Sequence, residues 1–192
     1  MAASDFWRPL FKTFNPKTFL EVGCFEGRSS CFILDHAAPG DPITLHCIDS
    51  WRGSQEFQDI DMAIVEARFD ANIALALGNR TPSAQFRKIK ALSTLGLATL
   101  IAEGRTDHYD FIYLDGSHRA PDVLSDAVMA FPLLKSGGLM VFDDYLWEEE
   151  KDRTGNPLDA AKPGIDVFMN LFSERMTLIP DMPNCQLFTI KL

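Results

Sequence analysis

Basic side chains are in short supply: 18 Lys and Arg stand against 27 Asp and Glu in 192 residues, a net charge of -9. That sign excludes a protein that tracks a nucleic-acid backbone, and no nucleic-acid partner is expected. Long apolar runs are missing too. Nothing approaches the roughly 18 consecutive apolar residues of a membrane span, so no membrane association is expected. The first residues, Met1 to Trp7, lack the cationic start and apolar core of a secretion signal, which points to a cytoplasmic protein. Cysteine is sparse and unpatterned. Cys24, Cys31, Cys47 and Cys185 form no C-x-x-C pair and lie mostly in apolar segments, which argues against a disulfide framework or structural zinc and for small buried hydrophobes. What is present is globular in balance, 46% hydrophobic and 23% charged, and the length fits one domain over 1–192 with a sizeable core.

The most informative stretch runs from Tyr109 to Asp144. Tyr109-Asp110-Phe111-Ile112-Tyr113-Leu114 has the aromatic and β-branched content of a buried strand and stops at Asp115-Gly116-Ser117-His118. Val123, Leu124, Ala127, Val128 and Phe131 follow at helical spacing behind Pro121 and Asp122, which suit a first turn, and Pro132 ends the regular helix. Gly137-Gly138 then turns the chain into a second buried strand, Leu139 to Phe142, ending at Asp143-Asp144. Strand, crossover helix and strand make a parallel pair, so both acidic ends fall on one edge of one sheet. Three carboxylates and an imidazole are thereby brought to a common crevice.

Upstream, Phe6, Trp7, Leu10, Phe11 and Phe14 have the spacing of a short amphipathic helix, open to three roles: packing on the sheet, a flap over a ligand, or a dimer contact. Thr18 to Val22 reads as a strand running through Gly23-Cys24-Phe25-Glu26-Gly27 into a helix at Arg28, the arrangement by which α/β proteins hold nucleotides. The glycine spacing is not that of a dinucleotide loop, since Phe25 and Arg28 stand where G-x-G-x-x-G needs glycine. The next strand, Ile43 to Ile48, ends at Asp49, placed either to accept from ribose hydroxyls or to cap the loop, with the ribose role favoured. A helical pattern through Ile60, Ala63, Ile64, Ala67, Ile73 and Leu77 follows, then a strand at Phe86 to Ala91 and a helix from Leu92 to about Glu103, with Ser93 as its cap or as an adenine contact. After a charged run from Tyr145 to Pro157, open between solvated loop and substrate lid, Ile165 to Phe172 gives a helix. Met176 to Ile179 and Leu187 to Ile190 give a closing antiparallel hairpin.

Taken in order, Phe19-Leu20-Glu21-Val22-Gly23 with Gly27-Arg28-Ser29, Ile48-Asp49, Leu114-Asp115-Gly116-Ser117-His118 and Gly137-Gly138 leading to Phe142-Asp143-Asp144 resemble a class I S-adenosylmethionine-dependent methyltransferase. Within that family they are similar to the metal-dependent small-molecule and sugar O-methyltransferases. The resemblance spans about Lys17 to Leu192 and implies an α/β, Rossmann-like, seven-stranded, mostly parallel sheet with one antiparallel strand and helices on both faces. It further implies that Glu21, Gly23, Gly27 and Ser29 line the methionine end of S-adenosylmethionine, that Asp49 holds its ribose and that Ser93 lies near its adenine. It places Mg²⁺ on Asp115, Asp143 and Asp144. Catechol-type relatives carry Asn and a Lys base where this chain has Asp144 and His118, so the pattern looks closer to the sugar-modifying members and leaves His118 as base.

Methyl transfer is an in-line displacement, so the protein must align the acceptor and make it nucleophilic. Carboxylates suit Mg²⁺, and a histidine titrates near neutral pH. The reading is therefore O-methylation of a small-molecule hydroxyl, with Asp115 and His118 as catalytic residues. The alternatives are a non-catalytic cofactor-binding or partner subunit and, less favoured, an NAD-dependent oxidoreductase. Acceptor choice would lie in 1–14, 51–80 and 145–162, and the chain is open to being a homo-oligomer.

Overall fold

The computed structural model describes residues 6–53, 59–146, 156–183 and 185–192. Its strands are β1 Thr18–Val22, β2 Thr44–Asp49, β3 Gln85–Lys90, β4 Tyr109–Leu114, β5 Leu134–Phe142, β6 Met176–Leu178 and β7 Leu187–Lys191. Its helices are α1 Trp7–Phe14, α2 Arg28–His36, α3 Met62–Asn79, α4 Ser93–Ala102, α5 Ala120–Ala130 and α6 Ala161–Leu171. All seven strands join one sheet in the order β3-β2-β1-β4-β5-β7-β6. The first five are mutually parallel, and β7 runs antiparallel to both β5 and β6. The expected seven-stranded, mostly parallel sheet with one antiparallel strand is what forms.

The central strands are apolar on consecutive positions because helices cover both faces. Alternation sends Phe19, Leu45, Phe111, Tyr113 and Val141 toward α1, α2 and α3. Their neighbours Leu20, Ile48, Ile112, Leu114 and Phe142 face α4, α5 and α6. Of the three roles open for the N-terminal helix, packing on the sheet is the one seen. Trp7 is fully buried, with its ring 5.1 Å from that of Phe111 and 4.6 Å from that of Tyr113.

Several expectations shift in detail. The buried stripe of α3 is Val65, Phe69, Ile73 and Ala76, whereas Ile60 and Ile64 are exposed. The phase is set by the largest apolar side chain: Phe69 packs on Trp51 at 4.9 Å, and rotating the helix to bury Ile64 would expose that ring. Val128 on α5 and Val167 and Leu171 on α6 are likewise exposed; the inward positions are Val123, Asp126, Ala127 and Ala130 on α5 and Ala161, Gly164, Ile165 and Phe168 on α6. The strand expected at Leu139 begins five residues earlier, at Leu134. Its register with β4 shifts between the Tyr109↔Leu134 and Phe111↔Leu139 pairs, and the bulge holds Gly137 at φ 76°. Cys24 and Cys47 are buried as expected, but Cys31 is only half-buried and Cys185 is exposed.

Among the described residues no helix is long and apolar enough to cross a membrane. Of the expected lid, Trp147 to Gly155 lies outside the described residues, as do Met1 to Asp5, Ser54 and Asn184.

Candidate active site at the carboxyl edge of the sheet

Parallel pairing sets the chain's acids and glycines in one row. The ends of β1, β2, β4 and β5 share an edge, and each residue just beyond a strand is tied to its neighbour's last carbonyl. Gly23 N–H donates to Ile48 O at 2.9 Å, Asp115 N–H to Val22 O at 2.8 Å and Asp143 N–H to Leu114 O at 3.0 Å. This lateral ladder fixes Asp49, Gly23, Asp115 and Asp143 relative to one another through backbone alone.

Gly23 sits at φ 85°, and a Cβ on it would lie 1.9 Å from the Asp115 carbonyl oxygen and 2.6 Å from Gly116 Cα. The glycine loop and the Asp115 loop are thus in backbone contact, which only glycine permits. Gly27, at φ 83°, differs: a Cβ there would meet Phe69 Cδ2 at 2.9 Å. Its missing side chain makes room for α3, a packing reason that the sequence reading did not contain.

Glu21 is fully buried beneath this loop, its two carboxyl oxygens accepting from the hydroxyls of Ser29 and Ser30. Burial pushes it up to about 7, against the lowering effect of those hydroxyls and the Cys47 thiol. The donor atoms of Glu21, Cys24 and Cys47 lie within 4.8 Å of one another. Burial raises both thiols as well, and the group forms a buried, hydrogen-bonded floor to the loop.

Asp49 serves the loop directly. Its Oδ2 accepts from Cys24 N–H at 2.8 Å and Phe25 N–H at 3.0 Å, and its Oδ1 from Trp51 N–H at 2.7 Å. The loop-cap role, ranked second from sequence, is therefore present, and a carboxylate's four acceptor positions leave room for one further donor.

Across the ladder, Asp115, His118 and Asp144 bring their donor atoms within 4.8 Å of one another, with His118 Nε2 2.8 Å from Asp144 Oδ2. Asp144 holds a left-handed φ of 56°, which aspartate tolerates better than most residues. Asp143 turns instead to Tyr113, whose hydroxyl lies 2.6 Å from Asp143 Oδ2 and 3.0 Å from Asp115 Oδ2. Burial first, then the facing carboxylates Asp143 and Asp144, push Asp115 well above the usual carboxylate range, and burial likewise raises Asp143. Such a cluster is electrostatically costly alone, and a cation would relieve it. A cavity of about 10 Å³, room for one water or ion, lies against Asp115, His118, Asp143 and Asp144.

Ser93 is not the cap of α4. Leu92 occupies that position without a side-chain bond, and the Ser93 hydroxyl lies close enough to Asp126 on α5 to work against the raising of its carboxyl. Asp126 borders the same cavity, is buried and pushed up to about 6 by that burial, and its Oδ1 has no hydrogen-bond partner among the described residues.

A profile described as a methyltransferase domain matches residues 20–145, about two thirds of the chain, and its span contains the glycine loop, Asp49, the Asp115 loop and the Asp143–Asp144 pair. The chain belongs to the methyltransferase-domain family. The oxidoreductase alternative falls with that assignment. No curated protein matches the chain significantly. Solved structures share its fold. An O-methyltransferase from Bacillus cereus, in complex with SAH, superposes with a TM-score of 0.67 at 18% identity, over 98% of this chain and 80% of that one. The O-methyltransferase TomG from Streptomyces achromogenes, involved in tomaymycin synthesis and solved with SAM, gives 0.65 at 16% identity, over 98% and 78%. At these identities the likeness is one of fold.

Sequence reasoning missed Tyr113, Asp126 and Gln186. Asp126 carried a signal, an acid on the apolar face formed by Val123, Ala127 and Ala130. Tyr113 read as one more aromatic of a buried strand, and nothing marked Gln186.

Proposed function

We propose that this methyltransferase-family chain transfers the methyl group of S-adenosylmethionine to a small-molecule hydroxyl, with a divalent cation, Mg²⁺, held by Asp115, Asp143 and Asp144 and with His118 as base. The observation that carries the reading is that Asp115 and His118, on the loop that touches Gly23 through backbone, converge within 4.8 Å with Asp144 from beyond the end of β5. The cofactor reading is supported by the left-handed Gly23 and by the start of α2, where Gly27 offers no side-chain cap and leaves backbone N–H groups for an anionic group. Glu21, Gly23, Gly27, Ser29 and Asp49 form or support that cradle, and Ser93 with Asp126 stands on the adenine side. The names of the two structural relatives, solved with SAH and SAM, agree with it.

The acidic residues fit a hard divalent cation by charge and donor type. When bound, the cation supplies Lewis-acid polarisation of the acceptor oxygen. His118 takes the acceptor's proton on its imidazole, and Asp144, 2.8 Å from Nε2, accepts a hydrogen bond from that nitrogen and stabilises the imidazolium that forms. Asp115 and Asp143 orient the acceptor toward the cofactor edge, the main demand of an in-line transfer.

One observation favours a variant of this reading: the donor atoms that converge are those of Asp115, His118 and Asp144, while Asp143 is engaged by Tyr113. His118 would then be a third ligand. Calorimetric titration with S-adenosylmethionine and with Mg²⁺, beside transfer assays on a panel of small hydroxyl acceptors, tests all of this. Cofactor binding with transfer that needs Mg²⁺ is the expected result. Cofactor binding without transfer to any acceptor favours the non-catalytic subunit. His118→Ala that keeps Mg²⁺ affinity and loses transfer identifies a base, and loss of both identifies a ligand.

A further inference from the structure

The acidic pair is wired to the N-terminal helix through the core. Trp7 Nε1–H on α1 donates to Gln186 Oε1 at 3.0 Å, and Gln186 Nε2 lies 3.3 Å from the Tyr113 hydroxyl. That hydroxyl contacts Asp143 at 2.6 Å and Asp115 at 3.0 Å. Trp7, Gln186 and Tyr113 are all nearly or fully buried, so no solvent competes for these bonds.

The donor chemistry gives the chain of bonds a single direction. An indole N–H can only donate, so the amide group facing Trp7 must be the oxygen of Gln186. The Gln186 NH₂ therefore faces Tyr113. Accepting from Gln186, the phenol oxygen must direct its one proton outward, and the shorter contact assigns that proton to Asp143. Asp115 Oδ2, 3.0 Å from the same oxygen, is left facing a phenol that has no second proton to give. The carboxylate pair is thus held at one corner by a donor, and among the described residues no cationic side chain pairs with either member.

We infer that Tyr113, oriented by Gln186 and Trp7, is a positioning residue that sets the Asp143 carboxylate beside Asp115 for a divalent cation, and that α1 is the structural anchor of this setting. The inference rests on the metal reading above in which Asp143, and not His118, joins Asp115 and Asp144 as a ligand. It gives α1 a role besides core packing, because its indole N–H fixes the amide that fixes the phenol. Outer hydrogen-bond partners of metal ligands commonly govern metal affinity in this way.

The test compares wild type with Tyr113→Phe, which keeps the ring and its packing, and with Gln186→Leu. Each is titrated calorimetrically with Mg²⁺ in the presence of S-adenosylmethionine and separately with S-adenosylmethionine alone, and the Tyr113→Phe crystal structure is solved. The expected result is Mg²⁺ affinity weakened by about tenfold to a hundredfold in Tyr113→Phe, with cofactor affinity unchanged and Asp143 rotated from its present position. Gln186→Leu should weaken Mg²⁺ in the same direction. Wild-type Mg²⁺ affinity in Tyr113→Phe, or an unmoved Asp143, overturns the inference. If wild type binds no Mg²⁺ while Asp143 still rotates in the variant, the metal reading fails and the positioning of Asp143 by Tyr113 stands. A general loss of fold would show as a fall in cofactor affinity, which the positioning role does not produce.

Discussion

Glu21→Gln isolates the cost of a buried carboxyl beneath the cofactor loop. Glu21 is fully buried, and burial pushes it from 4.5 to about 7. A folded-state value above the unfolded one means that the native protein binds this proton more tightly. The stabilising effect of that proton is complete below pH 4.5 and is lost as the pH rises through 7. At about 1.4 kcal/mol for each tenfold change, the whole loss is about 3 kcal/mol, accrued between pH 4.5 and 7 and constant above. Glutamine keeps an acceptor oxygen for Ser29 or Ser30 but cannot ionise, so the variant lacks this term. Urea unfolding of both proteins at pH 5 and pH 8 reads it directly. The stability of the variant relative to wild type should rise by about 2–3 kcal/mol between the two conditions. Asp115, Asp126 and Asp143 are also raised and make both proteins weaken with pH, but they are common to the pair and cancel in the difference. A difference that is the same at pH 5 and pH 8 would refute the claim that Glu21 carries a burial-displaced proton.

Gly23→Ala should cost about 2–5 kcal/mol, from a left-handed backbone and a Cβ 1.9 Å from a carbonyl oxygen, and a denaturation midpoint equal to wild type would contradict the loop contact. Gly40→Ala, also at positive φ but with open space around it, should cost only the backbone part, about 1–2 kcal/mol, in the same assay. Phe69→Ala should destabilise by about 3–5 kcal/mol, since the fully buried ring carries the α3 contact with Gly27 and Trp51; a loss below about 1 kcal/mol would mean that α3 is not held there. Treatment with EDTA should abolish transfer and Mg²⁺ should restore it, while cofactor affinity measured without metal stays close to its starting value.

Much of the fold was legible because local chemistry and global architecture agree. The strand over Thr18 to Val22, the helix from Arg28 and the strand from Tyr109 to Leu114 were readable from apolar runs ended by glycine or acid. The parallel crossover also made it readable that Asp115, Asp143 and Asp144 share an edge. Which face of a helix is buried was harder to read. On α3 the periodicity pointed to Ile60, Ala63, Ile64, Ala67 and Ile73, and only the slot for Phe69 between Trp51 and Gly27 selects the phase that buries Val65, Phe69, Ile73 and Ala76. For Gly27 and Ser93 the sequence pointed to the cofactor loop and to a cap or adenine contact, and it could not show their neighbours Phe69 and Asp126, which lie far along the chain.

Residue type and spacing within a few turns of chain carried the order of elements and the row of glycines and acids along one sheet edge, and the resemblance to class I methyltransferases carried the sheet class. Tertiary structure decided which donor atoms meet. It paired His118 with Asp144 and turned Asp143 toward Tyr113. It also drew Gln186 and Trp7, 179 positions apart, into one hydrogen-bonded line. Those contacts depend on side chains converging from separate strands and helices, and no local pattern encodes a distance between residues that only the closed core brings together.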